Sequence, residues 1–420
     1  MALAKPPPIE NFELFLENNL KNGSKVISYT SKYLTKPGDN YGSCMLAVTA
    51  NIKHSNGLNE ILELVVKMPP TNELYWKIFE PQRTCLTENL VYNVLIPILK
   101  QIQLDAKITN NDDLLNVFPK CYGTRISLLS DTNIVDKNAI LILENLVSLG
   151  YKVADRLESF DYKHTIIALR DLAKFHALPM SLRILKPKIF KENIMPYLRR
   201  FDITKNFGKD LNDKLIKNAK KDIESLKDFS SEAFMKKVDY FIDNSCKYMA
   251  NTNECEDSLF TTIAHYDFWV NNMMFLYDKD ENPVKIKILD FQIAQYESLA
   301  HDVIFFIFTS VKSELIQEQY DHFLKVYYDE FTKCLLLLGC DTSGYSFEKF
   351  MDEIKRIAPV QFFHIISMFK IIFIEKHGLP DDFSDMNENT LDNENAYSDK
   401  YFNKLKEFLK FYTKRGYLEC

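Results

Sequence analysis

Apolar and polar positions change their period partway along the chain. In the first third, short apolar or alternating runs dominate. Residues 45–52 and 62–67 read as strands, separated by a turn region containing Asn56-Gly57. Asn-Gly is a strong hairpin signal because both residues tolerate positive φ. Residues 84–99 have the spacing of a helix, expected to end near Pro97, since proline cannot donate the next helical hydrogen bond. Residues 139–143 form a third short apolar strand, and the polar, glycine-containing stretch 144–150 follows it.

From Tyr162 onward apolar residues recur every three to four positions. That period predicts helices over 165–176, 210–227, 231–249, a broken 300–335, and 347–376. A strand-rich island at 273–277 and 284–289 interrupts them: Val284, Ile286 and Ile288 alternate with Lys285 and Lys287, giving one buried face. Residues 381–399 are acidic and polar and read as a mobile loop before a last helix at 400–414. No internal repeat is visible. The expected division is a first unit over 1–145 and a second over 146–420.

Composition narrows the class. The chain has 420 residues, 46% hydrophobic and 26% charged, as expected of a globular enzyme with a sizeable core. Its net charge of −6 argues against a nucleic-acid partner, which would need a basic surface. The N-terminus has no signal-like apolar run, and the uninterrupted apolar stretches are too short to span a bilayer. The eight cysteines show no CxxC pair or regular framework. Together these features predict a cytoplasmic protein with reduced thiols, no zinc site and no membrane span.

The stretch 264–292 carries the candidate chemistry. The segment Asp278-Lys-Asp-Glu-Asn-Pro283 is turn-rich and centred near residue 281. Folding a hairpin about that centre brings Asn272 and Asp290, each nine positions away, side by side at its open end. Two hard oxygen ligands suit Mg²⁺, which takes one or two protein groups and keeps positions for phosphate oxygens. Asp267 lies in the loop feeding the hairpin, where it can orient a hydroxyl and accept its proton during phosphoryl transfer. His265 can brace that loop. The arrangement H-x-D-x4-N, hairpin, D-F-x matches the layout of a kinase catalytic loop and metal motif.

The first third supplies groups that such a site requires. Lys67 ends an apolar strand, and Glu88 shares a helix face with Val91 and Leu95. A carboxylate on an apolar face calls for a cation, and Lys67 is the expected partner. The segment Gly38-Asp-Asn-Tyr-Gly-Ser43 occupies the place of a phosphate-covering loop, with Asn40 and Ser43 as candidate contacts, although a plain turn would look the same. Glu144 and Leu146 follow the third strand, where a connector would meet an adenine edge through its backbone. Outside this set, His176 shares a helical face with Ile166, Leu169 and Leu172 and reads as a core histidine. Asp302 reads as an acid favouring a helix N-terminus, with a bracing role as the alternative.

The run His265-Tyr-Asp-Phe-Trp-Val-Asn-Asn272, with Asp290-Phe-Gln292, resembles the ecdysteroid kinase-like (CHK kinase-like) family of insects. Gly38–Ser43, Glu88 with Tyr92, Leu143-Glu-Asn-Leu146 and Leu172-Ala-Lys-Phe-His-Ala177 resemble its other blocks, so the likeness extends over most of the chain. That family is similar to choline kinases and aminoglycoside phosphotransferases. The resemblance implies an α+β, protein-kinase-like two-lobed fold, with a small β-rich N-lobe and a larger, mostly helical C-lobe. It further implies ATP and Mg²⁺ as cofactors and transfer to a hydroxyl of a small molecule such as an ecdysteroid or another lipophilic alcohol. Asp267 would be the base, Asn272 and Asp290 the metal ligands, and Lys67, Glu88 and the 38–43 loop the ATP contacts. Tyr266 departs from the glycine common in such loops, and Asn145 from the connector's common aspartate.

Three rival readings stand beside this one. A protein kinase is disfavoured by Gln292 in place of the glycine of DFG, and by the absence of room for a peptide-docking activation segment. A choline- or aminoglycoside-type kinase would need groups that cage a cation or a broad acidic cleft. A catalytically inactive ligand-binding relative would keep the fold without turnover.

Overall fold

A computed structural model describes residues 6–20, 23–34, 42–198, 200, 203–250, 258–374 and 397–419. The chain begins with α1 (Phe12–Leu20), then β1 (Lys25–Tyr33), β2 (Cys44–Lys53) and β3 (Asn59–Met68). The β2–β3 hairpin closes at the expected Asn56-Gly57: the His54 amide donates to the Leu58 carbonyl at 2.8 Å, and Gly57 takes φ 85°. Helices α2 (Glu73–Phe79), α3 (Pro81–Leu90) and α4 (Ile96–Asp105) precede β4 (Cys121–Arg125) and β5 (Ile140–Glu144). The five strands form one antiparallel sheet in the order β1-β2-β3-β5-β4. Leu46, Val48, Ala50 and Ile52 of β2 alternate inward, pack with Leu64, Val66 and Ile142, and are covered by Phe12 and Leu16 of α1.

The helix expected to stop near Pro97 continues instead. A π-turn over Val91–Leu95 joins α3 to α4, and the Ile96 amide donates to the Val91 carbonyl, five residues back. The wider turn accommodates the donor that proline lacks.

Beyond the sheet come β6 (Lys152–Val153), α5 (Tyr162–Leu185), α6 (Pro187–Asn193), α7 (Ile203–Ser225), α8 (Glu232–Ala250) and β7 (Thr261–Ala264). After them follow β8 (Met273–Tyr277), β9 (Pro283–Ile288), β10 (Gln295–Ser298), α9 (Ala300–Ser310), α10 (Ser313–Leu337), α11 (Phe347–Phe373) and α12 (Asp399–Lys414). Small sheets β6-β8-β9 and β10-β7 are set among these helices. Every residue of α9 is buried, so this helix is the axis of the large core. The expected loop at 381–399 falls mostly outside the described residues. Helix α11 is long and apolar enough to cross a membrane, and 61% of its most apolar stretch is buried inside the protein. Its apolar side packs against α8, α9 and α12, so core packing accounts for its length. A small β-rich part and a larger, mostly helical part give the two-lobed, kinase-like α+β fold.

Candidate active site

Strand β7 is buried along its whole length and delivers the loop 265–272 to the interior. Asp302 fixes the start of that loop: its carboxylate accepts the His265 amide at 2.6 Å and the Tyr266 amide at 2.7 Å. Both ring nitrogens of His265 are engaged with backbone. Nε2 lies 2.8 Å from the Leu289 carbonyl, and Nδ1 lies 3.3 Å from the Asp267 amide. Burial lowers the imidazole's proton affinity, which suits a neutral ring with Nε2–H donating and Nδ1 accepting. Through these contacts His265 braces the backbone of the loop on both sides. Tyr266 adopts φ 67°, the left-handed region where glycine is the easy choice. Its ring lies between His364 (5.8 Å, stacked) and His301 (5.5 Å).

Strands β8 and β9 form the expected hairpin in a register shifted by one residue. Met273 pairs with Ile288, and the Leu289 amide donates to the Asn272 carbonyl at 2.9 Å. Asn272 thus faces Leu289, and Asp290 is the next residue rather than its cross-strand partner. The turn closes about residue 280, where the Asp278 amide donates to the Asn282 carbonyl at 3.0 Å, and an irregularity between Leu276 and Tyr277 then shifts the pairing by one residue toward the expected register. Asp290 takes φ 65°, which turns the chain out of the strand.

The Asn272 side-chain amide donates to the Asp267 carboxylate at 2.7 Å and to its carbonyl at 2.9 Å. This pair locks the loop and leaves the Asn272 amide oxygen for another task. Burial, together with the nearby Asp290 charge, pushes the Asp267 carboxyl up to about 7, while Asn272 and Trp269 oppose the rise. No cluster of three or more His, Cys, Asp or Glu suited to a metal exists among the described residues. Mg²⁺ needs only one or two protein oxygens and completes its shell with phosphate and water. Asn272 and Asp290 fit that role by donor type and by position at the mouth of one hairpin.

Lys67, at the end of β3, carries its ammonium to Glu88 Oε2 on α3 at 2.8 Å and to Asp290 Oδ1 at 2.7 Å. Burial opposes its charge, but the two carboxylates outweigh burial and hold Lys67 protonated. The expected Lys67–Glu88 pair is present, and Asp290 joins it. Ser43 lines the same pocket as Lys67, Cys85, Glu88 and Leu141. A Cβ added at Gly42 would meet Phe79 at 3.1 Å and Gln292 at 3.3 Å, so this stretch lies close over the residues after Asp290. Asn40 lies outside the described residues. Glu144 ends β5 and its carboxylate accepts the Lys120 amide at 2.9 Å. The carbonyl of buried Leu146 accepts from the Tyr151 amide at 3.0 Å. Leu146 packs with Met274, Leu276 and Leu289 into a small apolar cluster beside the hairpin.

The most consequential residue that sequence periodicity undervalued is Asp302. It lies in the first turn of α9, yet its carboxylate turns to the loop and to His176 Nε2 at 2.9 Å. His176 also bonds Tyr327 at 2.6 Å through Nδ1, so the expected core histidine is a strut for the loop. Only the coincidence of a buried acid and a buried histidine could have signalled this pair. Phe291, beside Asp290, packs with His265 (5.0 Å), Phe118 (5.5 Å) and Tyr92 (5.9 Å), linking the metal motif to α3 and its π-turn.

The sequence pattern of the Ecdysteroid kinase-like family matches residues 37–340. The chain belongs to that family. The matched span of this ecdysteroid kinase-like protein holds Lys67, Glu88, Asp267, Asn272, Asp290 and Asp302. No curated protein sequence matches it. Among solved structures, it is similar to a Plasmodium vivax ethanolamine kinase, with a TM-score of 0.35 and 11% identity over 94% of this chain and 83% of that one. It is also similar to a choline/ethanolamine kinase family protein from Mesorhizobium loti, with a TM-score of 0.35 and 12% identity over 87% and 89% of the two chains.

Proposed function

We propose that this ecdysteroid kinase-like protein transfers the γ-phosphoryl group of ATP to a hydroxyl of a neutral, lipophilic small molecule, with an ecdysteroid as the leading acceptor. The observation that carries the reading is the convergence of Lys67, Glu88 and Asp290 beside the Asp267–Asn272 pair. Lys67, steadied by Glu88, binds phosphate oxygens. Asn272 and Asp290 would hold magnesium, which when bound neutralises phosphate charge. Asp267 accepts the acceptor's proton as its oxygen attacks phosphorus, and burial gives this carboxyl a proton affinity suited to that task. His265 and Asp302 keep the loop from moving while it does so.

The surroundings of Tyr266 support a neutral acceptor over a cationic one. The ring stacks with His364, and His364 stacks on Phe305 at 4.5 Å. The buried carboxylate nearby, Glu297, is ion-paired with Arg200 and accepts the Tyr248 hydroxyl at 3.0 Å. A carboxylate already neutralised in this way is a poor cage for a quaternary ammonium, whereas aromatic faces with hydrogen-bonding edges suit a hydroxylated ring system. The test is to incubate the purified protein with Mg-ATP and a panel of ecdysteroids, other steroids, choline, aminoglycosides and plant alcohols, following products by mass. Phosphorylation of an ecdysteroid or lipophilic alcohol is expected. Transfer to choline or an aminoglycoside but to no lipophilic alcohol would overturn the acceptor assignment.

A further inference from the structure

A chain of hydrogen bonds runs beside the 265–272 loop, and its direction follows from one end. Glu297 on β10 is buried and ion-paired with Arg200, so its carboxylate is ionised and can only accept. Tyr248 of α8, at 3.0 Å, therefore gives its one proton to Glu297. The Tyr248 oxygen also lies 3.1 Å from His301 Nε2 on α9, and in that contact the imidazole must be the donor. Burial lowers the proton affinity of His301, and a neutral ring that donates through Nε2 accepts through Nδ1. Nδ1 meets the side chain of Gln361 on α11, which must turn its NH₂ group there and its carbonyl oxygen the other way. That oxygen lies 2.9 Å from His364 Nδ1, which is then a donor as well.

The chain ends at His364 on a bare nitrogen. Burial pushes this imidazole down to about 4, so the ring is neutral and its proton sits on Nδ1. Nε2 keeps its lone pair and meets no partner among the described residues. The residue is half-buried, and Nε2 is open to the surface rather than sealed. The ring stacks with Phe305 at 4.5 Å and with Tyr266 at 5.8 Å. Tyr266 immediately precedes Asp267, so this acceptor lies along the wall beside the candidate base. A histidine left to water can take either tautomer, whereas the buried groups behind His364 impose one. A fixed, outward-facing acceptor suits a ligand that brings a proton to it.

We propose that His364 Nε2 accepts a hydrogen bond from a hydroxyl of the acceptor molecule, at a position other than the hydroxyl that is phosphorylated. The contact selects a polyhydroxylated lipophile over an alcohol with a single hydroxyl, and the Tyr266 and Phe305 rings hold the imidazole in place for it. A ketone or ether oxygen at the same position has no proton to give and would set one lone pair against another. This assignment rests on the phosphotransferase reading above and names a specificity contact within it. His364 takes no part in the chemical step.

The test pairs one variant with a set of acceptors. Ecdysone and analogues that each lack one hydroxyl are assayed with Mg-ATP in the parent protein and in His364→Phe, which keeps a stacked ring and removes the nitrogen. In the parent, loss of one non-reacting hydroxyl should lower kcat/KM by about tenfold, the scale of one hydrogen bond, chiefly through KM. In His364→Phe the same analogue and ecdysone should differ by less than about twofold, because the partner of that hydroxyl is gone. A hydroxyl preference that persists in the variant would overturn the contact. So would an equal loss toward every acceptor, the mark of a structural role. A second measurement uses the parent protein and needs no turnover. In ¹⁵N spectra of histidine-labelled protein, His364 should show Nδ1 protonated and Nε2 bare, with His364→Gln identifying its signals. Adding ecdysone to the Mg-ADP complex should move the Nε2 signal. A protonated Nε2 in the free protein, or a stationary signal in a protein that phosphorylates ecdysone, would defeat the proposal. A parent protein that turns over no alcohol would remove the phosphotransferase reading, and the acceptor contact with it, whichever tautomer the spectra show.

Discussion

Lys67 and Asp290 are 223 residues apart in sequence and 2.7 Å apart in space. With Glu88 on the other side at 2.8 Å, one ammonium joins the sheet, α3 and the end of the β8–β9 hairpin. In the proposed function, the phosphate and metal sites would therefore meet at a single cation.

That arrangement separates stability from turnover. Lys67→Met leaves Glu88 buried without its cation, and breaking such a pair costs roughly 3–5 kcal/mol. Adding Glu88→Gln should recover much of the stability in urea melts, while ATP turnover stays at least about 10²-fold down, as expected for a lost phosphate clamp. Parental ATP kinetics in the Lys67→Met protein would remove Lys67 from the phosphate site.

Asp267→Asn should retain ATP binding and lose roughly 10²–10⁴-fold in phosphoryl transfer, the usual contribution of a positioned base. Asparagine keeps the shape and cannot take the proton. Nucleotide binding is read by the rise in melting temperature with Mg-ATP, and transfer by mass. Equal turnover in variant and parent would dismiss Asp267 from the role.

Asp302 touches no substrate in this scheme, yet its replacement should be felt at the site. Asp302→Asn weakens bonds to the His265 and Tyr266 amides and to His176, and charged bonds of this kind are worth about 1.5–3 kcal/mol each. The expected outcome is a lower unfolding midpoint together with a fall in kcat, because the loop carrying Asp267 loosens, with KM for ATP little changed. A stability loss with parental kcat would confine Asp302 to the core.

Lys404 on α12 gives a pH-dependent test away from the site. Its buried ammonium bonds the Val311 carbonyl, and burial pulls its pKa from 10.5 down to about 7, with Glu314 opposing. Between those values the unfolded chain holds more protons than the folded one, so this residue makes stability rise with pH across that window. Its burden is largest below about 7. Lys404→Met should therefore be the more stable protein at neutral pH, by up to several kcal/mol, since each tenfold drop in proton affinity on folding costs about 1.4 kcal/mol. The advantage should shrink toward pH 10.5 in denaturant titrations. A constant difference at all pH values would mean that Lys404 titrates normally.

The features legible in the chain alone were local ones. Alternation placed β2, β8 and β9 to within one residue and β3 to within three, because side chains on a strand must alternate between two faces. The H-x-D-x4-N spacing, Lys67 at a strand end and Glu88 on an apolar helix face were likewise legible, since each depends on neighbours a few residues away. The hairpin register was missed by one residue because the turn closes about residue 280 rather than 281, and the irregularity between Leu276 and Tyr277, which makes up part of that difference, leaves no mark in the hydrophobic pattern. The end of the α3–α4 helix was misread because a π-turn can accept a proline that an ordinary turn would reject.

Which distant groups meet was settled by the packing of the whole chain. Lys67 answers two carboxylates, and Asp302 serves the 265–272 loop instead of its own helix end. The physical reason is that a periodic pattern tells which face of an element is buried, but not what that face will touch. A buried charge or donor must find its partner wherever the packed chain brings one, and those partners lie tens to hundreds of residues away.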